Sequence, residues 1–357
     1  MADPHDKNKN TNISTEGGAA VEGGVHIDGG DFVGRDKNIN HFIQQAISAA
    51  EEARQTQDLA RQRLAEGVRI YAQRLAAVAA DGTDSAAAGP YKGLLSYTLA
   101  DAELFFGRDE AITGLMTKLA SNRLTVLQSE SGAGKSSLLH AGIAPRLLAA
   151  GDLPVILRPY NRPPGTAIKQ AFLPDLSVAP ELRDAPLRAF LHSVSEVLGP
   201  QATLVLMLDP FEEFFTLLPD EAERRRFVDE LADCVEDESL PVRWVLALRS
   251  EFFGDLASFR PRIRNPFQND FRLNRLTQDE ARAVIIRPAQ PYGIRYEPAL
   301  VTRLLAQLSE NGEVHPPQIQ LVCLALYQTL TDRRPDAPAP APSPAAAAVT
   351  DCHRKNV

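Results

Sequence analysis

The stretch Leu124-Thr-Val-Leu-Gln-Ser-Glu-Ser-Gly-Ala-Gly-Lys-Ser-Ser-Leu-Leu139 constrains this chain more than any other. Leu124 to Leu127 form a short apolar run and predict a buried strand. Ser129 to Gly134 predict a loop, and Lys135-Ser136 open an Ala- and Leu-rich helix running toward Leu148. A strand, a Gly-rich loop and a helix in that order make an anion cradle, because loop N–H groups and the helix dipole point at one place. The Gly-Lys-Ser ending makes the expected anion a phosphate chain. In such a cradle the backbone of Ser131, Gly132, Ala133, Gly134 and Ser137 surrounds the phosphates. Lys135 reaches the β- and γ-phosphates, and the Ser136 hydroxyl holds Mg²⁺. Gly132 and Gly134 let the backbone pass close to the ligand. Ser129 stands where the pattern usually has Gly; a positive φ there costs a Ser roughly 1 kcal/mol. The alternative for the whole stretch is a Gly-rich turn without a ligand.

Charge and cysteines narrow the function classes. The 357 residues leave room for more than one domain. The net charge of −8 disfavours general nucleic-acid binding. Arg260, Arg262, Arg264, Arg272 and Arg275 lack the interleaved aromatics of a nucleic-acid patch. Cys234, Cys323 and Cys352 show neither metal nor disulfide spacing, which fits a reducing cytoplasm. No apolar run is long enough to span a membrane, and the N-terminus has no signal-peptide core. A cytoplasmic protein is expected.

The chain then divides by composition. Residues 1–24 are polar and Gly-rich and predict disorder. Residues 25–40 predict a Gly-rich segment of small β-turns, with His26 and His41 facing solvent. Residues 41–80 predict one long helix, with Ile43, Ala46, Ala50, Ala53, Ala60, Leu64, Tyr71, Leu75 and Val78 mostly at three–four spacing and a stutter at Val68. That helix either lies on its own domain or self-associates as a coiled coil. Residues 81–90 read as a linker, and 334–357 as an extended Pro/Ala-rich tail.

Between them, residues 91–272 predict an α/β domain. Pro154 to Arg158 is a second strand, residues 160–186 are Pro-rich, and an amphipathic helix covers about Leu187 to Leu198. Thr203-Leu-Val-Leu-Met-Leu-Asp209 is a buried strand with an acid at its end. Parallel sheets place ligands at that edge, so Asp209 is a candidate for the Mg²⁺ side of the site. Pro210 fits the first turn of a following helix. Glu212 and Glu213 come next; one of them can orient an attacking water, or both merely favour a helix N-terminus. Arg243 to Arg249 is another strand, and Arg249 either reaches the γ-phosphate or pairs with Glu251. Residues 273–333 predict a small helical lid, started by the capping box Thr277-Gln-Asp-Glu280 and closed by a helix after Pro316-Pro317.

Several motifs now stand in one order: Tyr91-Lys-Gly-Leu, Phe105-Phe-Gly-Arg-Asp-Glu, Ser131-Gly-Ala-Gly-Lys-Ser-Ser-Leu, Asp209-Pro-Phe-Glu-Glu-Phe-Phe, Leu248-Arg-Ser-Glu and Pro316-Pro-Gln-Ile-Gln-Leu-Val-Cys. Together, over about residues 90–330, they resemble the STAND class of P-loop NTPases, and within it the prokaryotic novel STAND group. The resemblance implies a P-loop parallel sheet flanked by helices, with a helical lid. It implies ATP or ADP with Mg²⁺ as cofactors, slow hydrolysis, and a regulatory switch that forms homo-oligomers or signals to a protein effector. It places Arg108 near the nucleotide, Asp209 beside Mg²⁺, Arg249 at the γ-phosphate and Pro317 near adenine. Ser129, His315 and Glu251 depart from the family's pattern. The winged-helix domain and sensor repeats that usually follow are not recognisable, so a truncated chain is expected. The other readings are a nucleotide-bound scaffold whose long helix does the work, and a DNA-associated ATPase.

Overall fold

The computed structural model describes residues 33–80, 89–158 and 162–332. The expectations for residues 1–32, for the linker through residue 88 and for the tail from residue 333 lie outside the described residues. The chain falls into two compact units, one ending at Gln55 and one beginning at Thr56.

Helix α1 spans Val33–Ala80. It begins at Val33 and not at His41, so residues 33–40 are helical and not β-turns. Helix extension adds one hydrogen bond per residue once a helix exists, and Gly34 at the very start costs little. In the second unit, Ala60, Leu64 and Val68 of α1 are buried in the main core, with Tyr71 and Leu75 packed beside them. The Tyr71 and Phe172 rings lie 5.6 Å apart. A Cβ on Gly67 would lie 2.0 Å from the Phe172 carbonyl oxygen, so glycine sets how closely this stretch approaches. One apolar stripe of residues 56–80 thus packs within the chain. Leu59, Ile70 and Val78 of the same stretch stay exposed. Val68, at the stutter, is buried with Ala60 and Leu64.

The core is a five-stranded parallel sheet. Its strands are β1 (Leu124–Ser129), β2 (Leu153–Leu157), β3 (Leu204–Leu208), β4 (Val242–Arg249) and β5 (Asp270–Arg272), in the order β2-β3-β4-β1-β5. Both faces are covered, which is why β3 and the Trp244–Leu248 stretch of β4 read as unbroken apolar runs. Alternation still sorts their residues. Leu204, Leu206, Trp244 and Leu246 enter the core that holds α1, whereas Val205, Met207, Val245 and Ala247 enter the one that holds Ile112 and Leu138. Flanking helices include α2 (Asp109–Ser121), α3 (Pro164–Phe172), α4 (Leu187–Leu198) and α5 (Glu221–Glu236). Helix α3 emerges from the Pro-rich stretch, because Pro164 sits at a helix start, where a missing N–H costs nothing. Strand β5, beside β1 at the sheet edge, is too short to show a pattern in the sequence.

The second region is the lid: α6 (Gln278–Ile286), α7 (Pro298–Leu308) and α8 (Pro316–Asp332). Thr277 and Glu280 form the expected capping box. The lid is not purely helical. A small antiparallel sheet joins β6 (Leu276–Thr277), β8 (Glu313–Val314) and β7 (Ser309–Glu310). Asn311 (φ 54) and Gly312 (φ +85) turn β7 into β8, the Asn-Gly pair that such a hairpin needs. Tyr91 is buried in the lid's core, and its hydroxyl donates to the Ile285 carbonyl at 2.5 Å.

Candidate functional site

Parallel strands bring their C-terminal ends to one edge, and there the strand-end residues of β1, β3 and β4 meet. Register fixes the neighbours: Ser129 of β1 lies opposite Arg249 of β4. A cavity of about 320 Å³ opens at this edge, within the size range of small-molecule sites.

The loop after β1 is one wall. Gly132 (φ +78) and Gly134 (φ +98) hold the left-handed conformation that L side chains resist. Gly132 has a second reason: a Cβ there would lie 3.3 Å from Cγ of Pro317 on the lid. Ser131 and Ala133 line the same cavity, as do Ser136 and Ser137. The helix after the loop starts at Lys135–Ser137, widens to a π-turn over Leu138–Ile143 and continues as Ala144–Ala149. Lys135 is largely buried, and its Nζ donates to Ser129 Oγ at 3.0 Å. Burial pushes the Lys135 pKa down, while the charges of Glu212 and Asp209 pull it up. Ser129 is not at positive φ. It is the last residue of β1, so the expected strain is absent and its side chain makes contacts instead.

Asp209 follows β3 directly and is buried beside Ser136. Burial raises its pKa above the ordinary carboxylate range, against a hydrogen bond from Ser136 and the charge of Lys135. Its Oδ1 has no hydrogen-bond partner among the described residues. A buried carboxylate oxygen without a donor, next to a serine hydroxyl, suits a hard divalent cation. Asp209–Pro210 is a cis peptide, and the next helix begins only at Glu213, so Pro210 lies in a turn ahead of it.

The two glutamates separate. Glu212 lines the cavity and pairs with Arg249: Nε to Oε1 is 3.1 Å, and the Arg249 backbone N–H reaches Oε2 at 3.3 Å. Glu213 does not line it. Its carboxylate is forked by Arg158, at the end of the neighbouring β2, at 2.5 to 3.1 Å. Arg249 lines the cavity and takes Glu212, not Glu251, as its ion-pair partner.

Arg108 is buried, and its Nη2 donates to the Ala133 carbonyl at 2.9 Å, bracing the Gly-rich loop from behind. Burial lowers its pKa, with Glu280 and Glu313 opposing. The opposite wall comes from three places: the strap Gly93–Tyr97, Phe105 and Phe106, and the lid residues Val284, Pro317 and Gln320. The strap is pinned at both ends. Lys92 N–H donates to Gln320 Oε1 at 3.0 Å, and Tyr97 N–H donates to Ser137 Oγ at 3.1 Å. Lys92 Nζ pairs with the buried Asp101 at 2.6 Å. Residues of the strap and Gln320 fall within recognised motifs, but their pairing is not recognisable from sequence, since it joins residues far apart in the chain. Ser129 carried one signal, a polar residue in place of a glycine.

Residues 90–337 match the family described as Novel STAND NTPase 1, which is more than half of the chain. The chain belongs to this family. It is therefore a nucleotide-binding NTPase with a P-loop fold, and the cavity lies where its Gly-rich loop, strand-end acid and lid converge. No curated protein matches this novel STAND NTPase. Solved structures similar to it include the Walker-type ATPase PABY2304 of Pyrococcus abyssi, with 14% identity, TM-score 0.48, and 74% of this chain on 79% of that one. The Aeropyrum pernix ORC2 protein, in its ADPNP–ADP complexes, has 14% identity and TM-score 0.47, with 63% of each chain covered. The ORC1 protein of the same organism, in complex with DNA, has 15% identity and TM-score 0.45, with 65% and 62% covered. The novel STAND NTPase thus spans less than two thirds of either ORC chain. No helix among its described residues is long and apolar enough to cross a membrane.

Proposed function

We propose that this novel STAND NTPase is an ATP- and Mg²⁺-dependent regulatory switch with slow hydrolysis, whose nucleotide state governs self-association or contact with a protein effector. The observation that carries the reading is the unpartnered, buried Asp209 Oδ1 beside Ser136 and near Lys135. Ser136 and Asp209 would hold Mg²⁺, which when bound supplies positive charge to the phosphate oxygens.

The protein's own groups account for the rest. The Gly-rich loop and Lys135 orient the triphosphate, and Glu212 faces the space where water attacks the γ-phosphate. Arg249 gives the site two alternatives. Its guanidinium binds the Glu212 carboxylate or a γ-phosphate, and both are planar-fork partners for arginine. With a triphosphate bound, Arg249 moves to the phosphate and Glu212 is freed to orient water. With a diphosphate, the Glu212–Arg249 pair persists. A switch requires such differential interaction with the two ligands.

The test is ATP and ADP affinity, turnover, and mass by light scattering, for wild type and Glu212→Gln. Glu212→Gln should bind ATP within about twofold of wild type and turn over at least about tenfold more slowly. It should also gather as the larger ATP-bound species. Neither turnover nor a nucleotide-dependent change of mass in wild type would leave a nucleotide-bound scaffold in place of the switch.

A further inference from the structure

Resting on the nucleotide-binding reading, we propose that Ser129 is a positioning residue for Lys135: its hydroxyl fixes the lysine ammonium within the Gly-rich loop, ready for the phosphates.

The geometry is specific. Ser129 closes β1 and is completely buried. Its Oγ–H donates to the Glu130 carbonyl at 2.8 Å. That bond uses the hydroxyl's only proton, so a lone pair faces Lys135, whose Nζ donates to it at 3.0 Å. The pairing is matched in polarity: the hydroxyl donates once and accepts once. An ammonium has three N–H donors. One is spent on Ser129 and two remain for phosphate oxygens, so the lysine meets its ligand without leaving the serine. Lysine's four-carbon stem is otherwise flexible, and ordering it before the ligand arrives removes that cost from binding. A glycine at this position offers no side-chain acceptor for the ammonium. The loop's conformation does not account for the serine, because residue 129 is extended and accepts any side chain.

The consequence falls on the outermost phosphates. ATP places charge where the ammonium is held, and ADP lacks the γ-phosphate. Ser129→Ala and Ser129→Gly should each weaken ATP–Mg²⁺ binding by about three- to tenfold, the size of a charge-assisted hydrogen bond acting on position. ADP affinity should fall less, so the ATP/ADP ratio drops. Ser129→Thr keeps the oxygen and should keep the ratio. The ratio is a property of the folded fraction, so a variant that melts earlier still reports.

The decisive arm is the pair with Lys135. In a Lys135→Ala background, Ser129→Gly should change ATP affinity by no more than about twofold, since the group it positions is gone. An equal loss in both backgrounds would make Ser129 a purely structural residue. Unchanged or tighter ATP binding by both single variants would show that the serine does not assist the lysine. A loss in Ser129→Ala with none in Ser129→Gly would put the effect on the added methyl and overturn the proposal. Wild type that binds no nucleotide would overturn the functional reading as well. Wild type that binds, beside variants that do not differ, overturns only this inference.

Discussion

The two ends of the cavity are built in opposite ways. At the phosphate end, Ser131 to Ser137 come from one contiguous stretch, and Asp209 and Arg249 from the ends of neighbouring strands. The far end is assembled from the strap at Gly93–Tyr97, the pair Phe105–Phe106 and lid residues beyond Leu276. At the first end, strand register and a loop with two left-handed glycines set the shape. The second is assembled where the lid meets the strap, with Lys92 N–H donating to Gln320. On the proposed reading, a ligand's phosphates would meet the contiguous loop and its nucleoside the surface assembled from the strap and the lid.

Inorganic tripolyphosphate separates the two ends, since it fills only the first. The largest effect is expected from Lys135→Ala. Losing the cation of the loop should weaken ATP and tripolyphosphate alike, by tenfold or more, at least about 1.4 kcal/mol. Calorimetric titration of both ligands checks it, with a melting curve to show that the variant is folded. Loss of ATP binding with tripolyphosphate unaffected would move the phosphates elsewhere.

Asp209→Asn comes next. It keeps the shape and removes the charge, so about fivefold of ATP affinity should vanish, and only when Mg²⁺ is present. Titrations with Mg²⁺ and with a chelator compare the two conditions. A loss that is equal in both would assign Asp209 to the fold and not to the metal.

The same contrast explains what could be read from the chain directly. The loop announces itself because the chemistry needs residues in one run, at fixed spacing. Asp209 and Arg249 are legible as charges closing apolar strands. Glu212 and Glu213, adjacent in sequence, are not separable there. Only the packing of β2 beside β3 brings Arg158 to Glu213 and leaves Glu212 for the cavity. Ser129 illustrates a different limit. A motif suggests which residue is usual at a position, but the reach of β1 decides its backbone, and here the strand extends through it. The lid strands are two residues each, too short for alternation to appear, although the Asn311-Gly312 turn was a local sign of a hairpin. The strap has no periodic signal, because its role is fixed by Gln320, which lies far along the chain.

The smallest effect, and the sharpest for this comparison, is expected from Gln320. Its side chain is buried, accepts from Lys92 N–H, and also hydrogen-bonds the Tyr97 side chain. It thus ties helix α8 to both ends of the strap. Gln320→Ala leaves a backbone donor unpaired in a closed lid, a penalty of about 1–3 kcal/mol on the closed form. Part of that is recovered when the lid opens and Lys92 N–H meets water, so ATP affinity should fall only about three- to fivefold. Tripolyphosphate does not need the closed lid, and its affinity should not change. Gln320→Leu restores volume without the hydrogen bonds and should behave like alanine, which separates polar pinning from packing. Hydrogen exchange at residues 91–97 gives an independent view. Saturating ATP should protect these amides in wild type and protect them less in either variant. If Gln320→Ala weakens ATP and tripolyphosphate equally, the two ends are one cooperative unit, and the division between them fails.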